Sequence, residues 1–192
     1  MHNAVRLFIQ SVKGELPYKF KFRSVLEVGS HNINGSPRKY FLFCDYTGID
    51  IGEGKGVDIV TRFNEHEFDR KYEVIISTEM LEHDSTWQQS LRKMYELLED
   101  NGLLIITCAA PERKEHGTKR TSPQCSPDTT DYYRNISIDD LKSVLTPDMF
   151  GEYVVQYARG GNDLQMYGIK SGSNVGRRNV KVILKNILKA FA

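Results

Sequence analysis

Short apolar segments of strand length alternate with helical segments along most of this chain. Residues 24–28 and 72–77 are rich in β-branched residues, and residues 103–110 are more apolar still. Between the last two, apolar side chains of residues 84–99 recur every three or four positions, as they do in an amphipathic helix. Strands that alternate with helices predict an α/β fold with a doubly wound, mostly parallel sheet.

Further segments complete a predicted sheet of seven strands. Residues 46–51 and 56–60 are short candidate strands, and a Ser-Pro start predicts a helix over residues 36–43. Residues 152–158 and 163–170 are joined by the turn sequence Arg-Gly-Gly-Asn. Such a turn favours a C-terminal antiparallel hairpin, which would insert one antiparallel strand into an otherwise parallel sheet.

We expect residues 1–192 to form a single domain, because this length suits one sizeable core. Within it we predict an N-terminal helix at about residues 1–14 and a long polar loop at about 111–135. An amphipathic helix is predicted at about 177–191, with basic residues beside its apolar face. That face suits docking on the domain itself or on a sister subunit of a homo-oligomer, and an anionic membrane surface is the alternative.

Composition and charge exclude several classes of function. The formal net charge of +1 gives no general attraction to nucleic acid, so no nucleic-acid partner is expected. No apolar run approaches the roughly 20 residues of a membrane span. The N-terminal segment lacks a small-residue cleavage site, and Cys44, Cys108 and Cys125 are widely spaced, which together indicate a reducing, cytoplasmic location. Without a Cys-x-x-Cys or paired-histidine spacing, no metal site is expected.

Glycines and acids collect where the predicted strands end, which is where open parallel sheets bind ligands. Glu27 and Gly29 close the first strand, and Asp50 closes the second. A carboxylate at that point can accept hydrogen bonds from both hydroxyls of a ribose, and a solvated turn residue is the alternative for Asp50. The turn after the first strand offers only Gly29 and Gly35, and no phosphate-binding loop follows. The pattern therefore favours a nucleoside without a phosphate chain.

Four segments, in this order and spacing, carry a family resemblance: VLEVGSHNINGS, YTGIDIGEGKGVDIV, YEVIISTEMLEH and LLEDNGLLIITC. Over about residues 22–170 the chain resembles the class I S-adenosylmethionine-dependent methyltransferases. The likeness is greatest to small single-domain members whose fourth strand ends in a STEMLEH-type motif. The resemblance implies a Rossmann-like methyltransferase fold, S-adenosyl-L-methionine as cofactor, and methyl transfer as the activity.

The resemblance also implies which residues contact the methionine part of the cofactor. Ser77 and Thr78 would lie beneath the sulfonium, from which the methyl group leaves. A sulfonium beside an amino acid needs nearby carboxylates and exposed backbone groups, with little side-chain bulk. The residues that would line this turn are Glu27, Gly29, Ser30 and Gly35.

The adenosine part is implied to lie at the next two strand ends. Asp50 would bind the ribose hydroxyls, with Ile51 against the adenine face. The family usually has an acid followed by a small residue at the tip of the third strand, where this chain has Arg62 and Phe63. Arg62 cannot accept a hydrogen bond from the adenine amino group, but Phe63 still offers its backbone N–H.

The acceptor is expected to lie between the STEMLEH motif and the long loop. Loops of this length are usually functional or mobile. The aromatic and hydrogen-bonding side chains of the loop at about 111–135 suit a small polar acceptor. The methyl group would go to a hydroxyl of a sugar, a glycan precursor or a related metabolite. His83 and His116 are the candidate general bases, with capping or packing the alternative for His83. The predicted substrate contacts are Glu79, Tyr132, Tyr133 and Arg134.

Three functions remain open at this point. The first is a methyltransferase acting on a small polar acceptor. The second is a nicotinamide-dependent oxidoreductase, which the missing glycines disfavour. The third is a non-catalytic binding module on a methyltransferase-like fold, a possibility that the departure at Arg62 keeps open.

Overall fold

The computed structural model describes residues 1–129, 131–172 and 181–182, and its centre is one eight-stranded sheet. The apolar, β-branched segments supply the strands, because extended backbone suits their side chains. In chain order the strands are β1 (Ser24–Val28), β2 (Asp45–Asp50), β3 (Ile59–Val60), β4 (Tyr72–Thr78), β5 (Leu98–Ala109), β6 (Phe150–Tyr157), β7 (Asp163–Lys170) and β8 (Lys181–Val182).

The strands lie in the order β3-β2-β1-β4-β5-β7-β6-β8. Strands β1 to β5 are parallel to one another, whereas β7 runs antiparallel to both β5 and β6. The prediction of a doubly wound, mostly parallel seven-stranded sheet with a C-terminal antiparallel hairpin is confirmed, and β8 is an addition to it. The order reverses at β1, between β2 and β4, so a ligand site is expected beyond the carboxyl ends of these three strands.

Helices cover both faces of the sheet. Helix α1 (Asn3–Glu15) packs against one face, where Val25, Ile76 and Ile105 are fully buried. Helices α2 (Trp87–Leu97) and α3 (Ile138–Lys142) pack against the other face with the alternate strand residues, such as Ile75. This alternation follows from the strand period of two, and it gives the sheet a core on each side.

The segment 36–43 is shorter and tighter than the predicted helix. Only Pro37–Tyr40 is helical, and it forms a 3₁₀ turn that the Ser36 side chain caps. Phe41 returns to extended backbone because its buried ring stacks on Phe20, with ring centroids 4.6 Å apart. Tertiary packing therefore ends this helix after a single turn.

Ser137 forms a capping box with Asp140 at the start of α3. The predicted C-terminal helix at 177–191 lies outside the described residues except at Lys181–Val182. These two residues form β8 and pair with β6, whose edge would otherwise leave backbone groups unpaired. Among the described residues, no helix is long and apolar enough to cross a membrane.

Candidate active site

A cavity of about 650 Å³ lies beyond the carboxyl ends of β1, β2 and β4. This is the edge at which the strand order reverses. The loop that follows β5 forms the opposite wall, where Asp128 approaches His31 to 3.1 Å. The cavity volume falls within the usual range of small-molecule and cofactor sites.

Gly29 lets the turn after β1 pass close to the segment that follows β4. Its φ is +80°, and a Cβ atom placed there would lie 2.6 Å from Cβ of Met80. Both the conformation and the close approach require glycine. Gly29 and Met80 together therefore form a compact wall between two strand ends.

Glu27 is a buried carboxylate at the cavity wall, with only 2% of the residue exposed. Its Oε2 accepts hydrogen bonds from the hydroxyls of Tyr46 at 2.8 Å and Ser36 at 3.3 Å. Burial nevertheless raises the pKa of Glu27 to about 7, because desolvation outweighs the two hydrogen bonds. A cationic group that bound beside Glu27 would compensate for this desolvation.

The carboxylate of Asp50 is held in place by backbone N–H groups. Its Oδ2 accepts from His31 at 2.9 Å, and its Oδ1 accepts from Gly52 at 3.3 Å. A carboxylate has about four acceptor positions, so roughly two remain available. Because Asp50 lines the cavity, these positions are available to a ligand with paired hydroxyls.

An ion network forms the end of the cavity near β5 and β7. Glu79 has a left-handed φ of +58° and accepts a hydrogen bond from Thr107 at 3.0 Å. His2 lies 3.1 Å from Glu79 and 3.4 Å from Asp163, and Arg113 also pairs with Asp163. Hydrogen bonds to Asp163 and Glu79 raise the pKa of His2 to about 9. The network thus ties the N-terminal segment to three separate elements.

The His2 network predicts a loss of stability at alkaline pH. The folded pKa of about 9 lies above the ordinary value of 6.5, so the stabilisation is fully present below pH 6.5 and is lost as pH rises through 9. With 34% of its side chain exposed, we expect a contribution of about 1 kcal/mol. In urea unfolding, wild type should have a higher free energy of unfolding than His2→Gln at pH 6.5, and the two values should converge by pH 10. A difference that grows with pH would contradict this assignment.

Glu82, His83 and His116 form a compact group beside the cavity. The His83 and His116 rings meet edge to face with centroids 5.4 Å apart, and Nε2 of His116 lies 3.9 Å from Glu82. Gly117, with φ +65°, packs closely on the His83 ring. Burial lowers the pKa of His83 to about 4, lowers that of His116, and raises that of Glu82. Both imidazoles are therefore neutral near pH 7.

Most of the predicted site residues lie together at the cavity wall, although ligand binding itself stays a prediction. Ser77 and Ser30 instead lie behind the wall. Ser77 is fully buried and donates a hydrogen bond to the carbonyl of Val28 at 2.8 Å, and Ser30 is buried beside Gly48. The predicted residues that line the cavity are Glu27, Gly29, Gly35, Asp50, Ile51, Phe63, Thr78, Glu79, His83 and His116.

The predicted substrate residues of the long loop lie outside the cavity wall. The Tyr133 hydroxyl is 3.2 Å from Nδ1 of His116, so Tyr133 supports a wall residue. Arg134 pairs with Asp140 at 2.9 Å and is turned toward α3, away from the cavity. Tyr132 is half-buried and is also absent from the lining.

Several cavity residues are missing from the sequence predictions. His2 and Arg113 lie far from the strand-end motifs in sequence, and no local pattern marks them. His31 and Asp128 are likewise joined only by folding, across 97 positions. Arg62 was treated only as a departure from the family pattern, yet it too lines the cavity.

A comparison with protein-family models supplies the deciding observation. Residues 2–145 match the model of a family described as a methyltransferase domain. The chain belongs to this methyltransferase family. The resemblance to class I S-adenosylmethionine-dependent methyltransferases is thereby confirmed, with S-adenosyl-L-methionine as the cofactor of that class. No curated protein matches the chain.

Solved structures show the same fold at low sequence identity. A Burkholderia thailandensis 1,6-didemethyltoxoflavin-N1-methyltransferase, solved with 1,6-didemethyltoxoflavin and S-adenosylhomocysteine, is 19% identical with a TM-score of 0.61, covering 88% of this chain and 78% of its own. The CurJ carbon methyltransferase is 20% identical, with TM-score 0.57 and coverage of 85% and 52%. The N-methyltransferase NodS from Bradyrhizobium japonicum WM9, solved with S-adenosylhomocysteine, is 14% identical, with TM-score 0.55 and coverage of 86% and 86%.

Proposed function

We propose that this methyltransferase transfers the methyl group of S-adenosyl-L-methionine to a hydroxyl of a small polar acceptor, such as a sugar, a glycan precursor or a related metabolite. The observation that carries the proposal is the pair of carboxylates on one cavity. Asp50 offers free acceptor positions for the ribose hydroxyls, and the buried Glu27 suits the cofactor ammonium. The two carboxylates lie at adjacent strand ends, as the two ends of one elongated ligand would require.

The remaining cofactor contacts follow from the wall of the cavity. Ile51 and Phe63 would contact the adenine, and the compact turn at Gly29 and Gly35 would lie along the methionine part. Thr78 would lie near the sulfonium. Ser30 and Ser77 would act indirectly, since each is buried behind these residues.

The acceptor would bind where Glu79, His83 and His116 line the cavity. Positioning the acceptor oxygen in line with the methyl group, with water excluded, supplies much of the acceleration of such a transfer. Tyr133 would act by orienting His116. For Tyr132 and Arg134 we retain a role only in shaping the loop.

Methyl transfer from labelled S-adenosyl-L-methionine into a fractionated metabolite extract tests the proposal. We expect label in a product whose mass spectrum places the new methyl group on oxygen, and no label with Asp50→Ala. Label on nitrogen or carbon would overturn the hydroxyl assignment. Binding of S-adenosylhomocysteine without any turnover would instead support the non-catalytic alternative, and binding of NADH in its place would support an oxidoreductase.

The cellular setting and the assembly state are also parts of the proposal. We retain a cytoplasmic location, small-molecule acceptors and no nucleic-acid partner as predictions. A homo-oligomer formed through residues 177–191 also stays a prediction, which light scattering of the full chain and of a chain ending at residue 172 would test.

A further inference from the structure

We propose that Glu82, His83 and His116 form a binding site for one divalent transition-metal ion, with Zn²⁺ the ion that suits it best. Two imidazoles and one carboxylate are a donor set that zinc and its first-row neighbours accept, and that Mg²⁺ accepts poorly. This proposal departs from the sequence-based expectation of no metal site. That expectation considered spacing along the chain, whereas the fold brings His83 and His116 together.

The donor atoms are close enough to share one ion. One ligand atom from each of the three side chains lies within 4.8 Å of the other two. Nε2 of His116 is 3.9 Å from Oε1 of Glu82, compared with about 3.4 Å between donors around a tetrahedral zinc ion. Binding of one ion would require side-chain rotations that bring the three donor atoms closer together.

The hydrogen bonds of His116 leave the correct nitrogen free. Its Nδ1 lies 3.2 Å from the carbonyl oxygen of Lys114 and 3.2 Å from the hydroxyl of Tyr133. Because a carbonyl only accepts, Nδ1 carries the proton, and the lone pair of Nε2 points toward Glu82. Metal-bound histidines commonly have such a backbone partner on the other ring nitrogen.

Glu82 supplies an independent observation that points to a cation. The residue is fully buried, and within the described part of the chain neither carboxylate oxygen has a hydrogen-bond partner of good geometry, although the backbone N–H groups of Glu82 and Ala109 come close enough to oppose the rise of its pKa. Nδ1 of His83 also has no partner there. Burying polar groups without partners costs free energy. A bound metal ion would satisfy all of these atoms together.

A second group of potential metal ligands differs from this one because an arginine side chain already supplies a positive charge there. His2, Glu79 and Asp163 also bring their ligand atoms together. There, however, the guanidinium of Arg113 already pairs with Asp163 and lies 3.6 Å from Glu79. Among the described residues, the nearest ion-pair partner of Glu82 is His116 itself, so this group still lacks a permanent positive charge.

The proposed metal site would also influence which acceptor binds, and this inference about the acceptor rests on the proposed function. Three protein ligands leave at least one coordination position open. His83 and His116 line the cavity, so the open position faces the space where the acceptor would bind. An acceptor with a hydroxyl beside a second oxygen, as in a vicinal diol or a catechol, could occupy it.

Metal coordination would favour transfer to oxygen over nitrogen. A metal-bound hydroxyl releases its proton to solvent near neutral pH and keeps a lone pair for attack. That oxygen then forms a bond to the methyl carbon while the carbon–sulfur bond breaks, and the electron pair of that bond stays on sulfur as a neutral thioether. A metal-bound amine would have its only lone pair engaged by the ion.

Calorimetry of chelator-treated full-length protein with ZnCl₂, and absorption spectroscopy with CoCl₂, test the site directly. We expect one ion per chain, visible Co²⁺ bands that indicate nitrogen and oxygen ligands, and much weaker heat with MgCl₂. His116→Ala and Glu82→Gln should each weaken Zn²⁺ binding by about 100-fold. The control His66→Ala, a histidine outside the cavity lining, should bind like wild type.

Two outcomes would overturn the inference: no saturable binding of one ion per chain, or binding that both His116→Ala and Glu82→Gln leave unchanged. In the first case Glu82 is simply a buried protonated acid. If Glu82→Gln fails to fold, His116→Ala and the Co²⁺ spectrum of wild type still decide. Metal binding without methyl transfer would refute the proposed function alone, whereas methyl transfer that survives metal removal would refute only the role of the metal.

Discussion

Replacing Asp50 with alanine is expected to weaken cofactor binding severely while the fold persists. Two of the acceptor positions of its carboxylate are occupied by the backbone of His31 and Gly52, and two remain for a ribose. Hydrogen bonds to a charged acceptor contribute about 1.5–3 kcal/mol each. Losing two of them should weaken S-adenosylhomocysteine binding by roughly 100-fold or more, as measured by calorimetry.

The matched control for Asp50 is Glu53→Ala, an exposed acid in the same turn that does not line the cavity. It should bind S-adenosylhomocysteine like wild type. Asp50→Asn retains one side-chain oxygen that can accept a backbone hydrogen bond in the turn. Comparing it with Asp50→Ala therefore separates the loss of charge from the loss of the loop contacts. Equal affinity of wild type and Asp50→Ala, at unchanged melting temperature, would show that the ribose assignment is wrong.

Replacing Glu27 with glutamine is expected to stabilise the protein and weaken cofactor binding at the same time. Glu27 ionises at about pH 7 in the folded state, against an ordinary value of 4.5. Between these values the unfolded chain loses its proton first, so stability falls as pH rises through this range and then stays low. Above pH 7 this lowers the free energy of unfolding by about 3 kcal/mol, and Glu27→Gln should recover most of that loss at pH 8.

Urea unfolding at pH 5 and pH 8 isolates this effect, since the other titrating groups are common to both proteins. The stability difference should be small at pH 5 and favour Glu27→Gln at pH 8. Cofactor affinity should fall by about 10- to 100-fold, because the ammonium group loses its charged partner. Glu73→Gln, which changes an acid at the opposite end of the sheet, should leave that affinity unchanged. A Glu27→Gln protein that is less stable than wild type at pH 8 would contradict the assignment.

Much of the sheet was predictable because its signals are local. Residues 24–28 and 72–77 carry the β-branched composition of buried strands, and both are strands in the structure. The prediction failed where long-range pairing or packing decides. β5 begins at Leu98, ahead of the predicted strand at 103–110, because Leu98 pairs with Tyr72. The strand predicted at 56–60 pairs only at Ile59–Val60.

The residues of the candidate site also fall into those that local sequence signals predict and those that only long-range contacts bring together. Glu27, Gly29 and Asp50 were predictable because a strand end fixes where the following residue lies. His83 and His116 are separated by more than 30 positions, and only the course of the loop after β5 brings their rings together. Arg113 depends in addition on Asp163, at the start of β7. No periodic pattern in the sequence predicts such long-range contacts.

The reversed direction of β7 determines which segments lie near the end of the cavity beside β5 and β7. Because β7 runs against β5, Asp163 at its start lies opposite Ala109 at the end of β5. The hairpin turn at 159–162 therefore lies beside the loop that follows β5, with Gly161 near Glu112 and the carbonyl of Asn162 accepting a hydrogen bond from the N–H of Ala110. We expect that lengthening or recomposing this four-residue connection would change the surroundings of Asp163 and its partner Arg113, which lines the cavity, while leaving the strand ends that carry Glu27 and Asp50 intact.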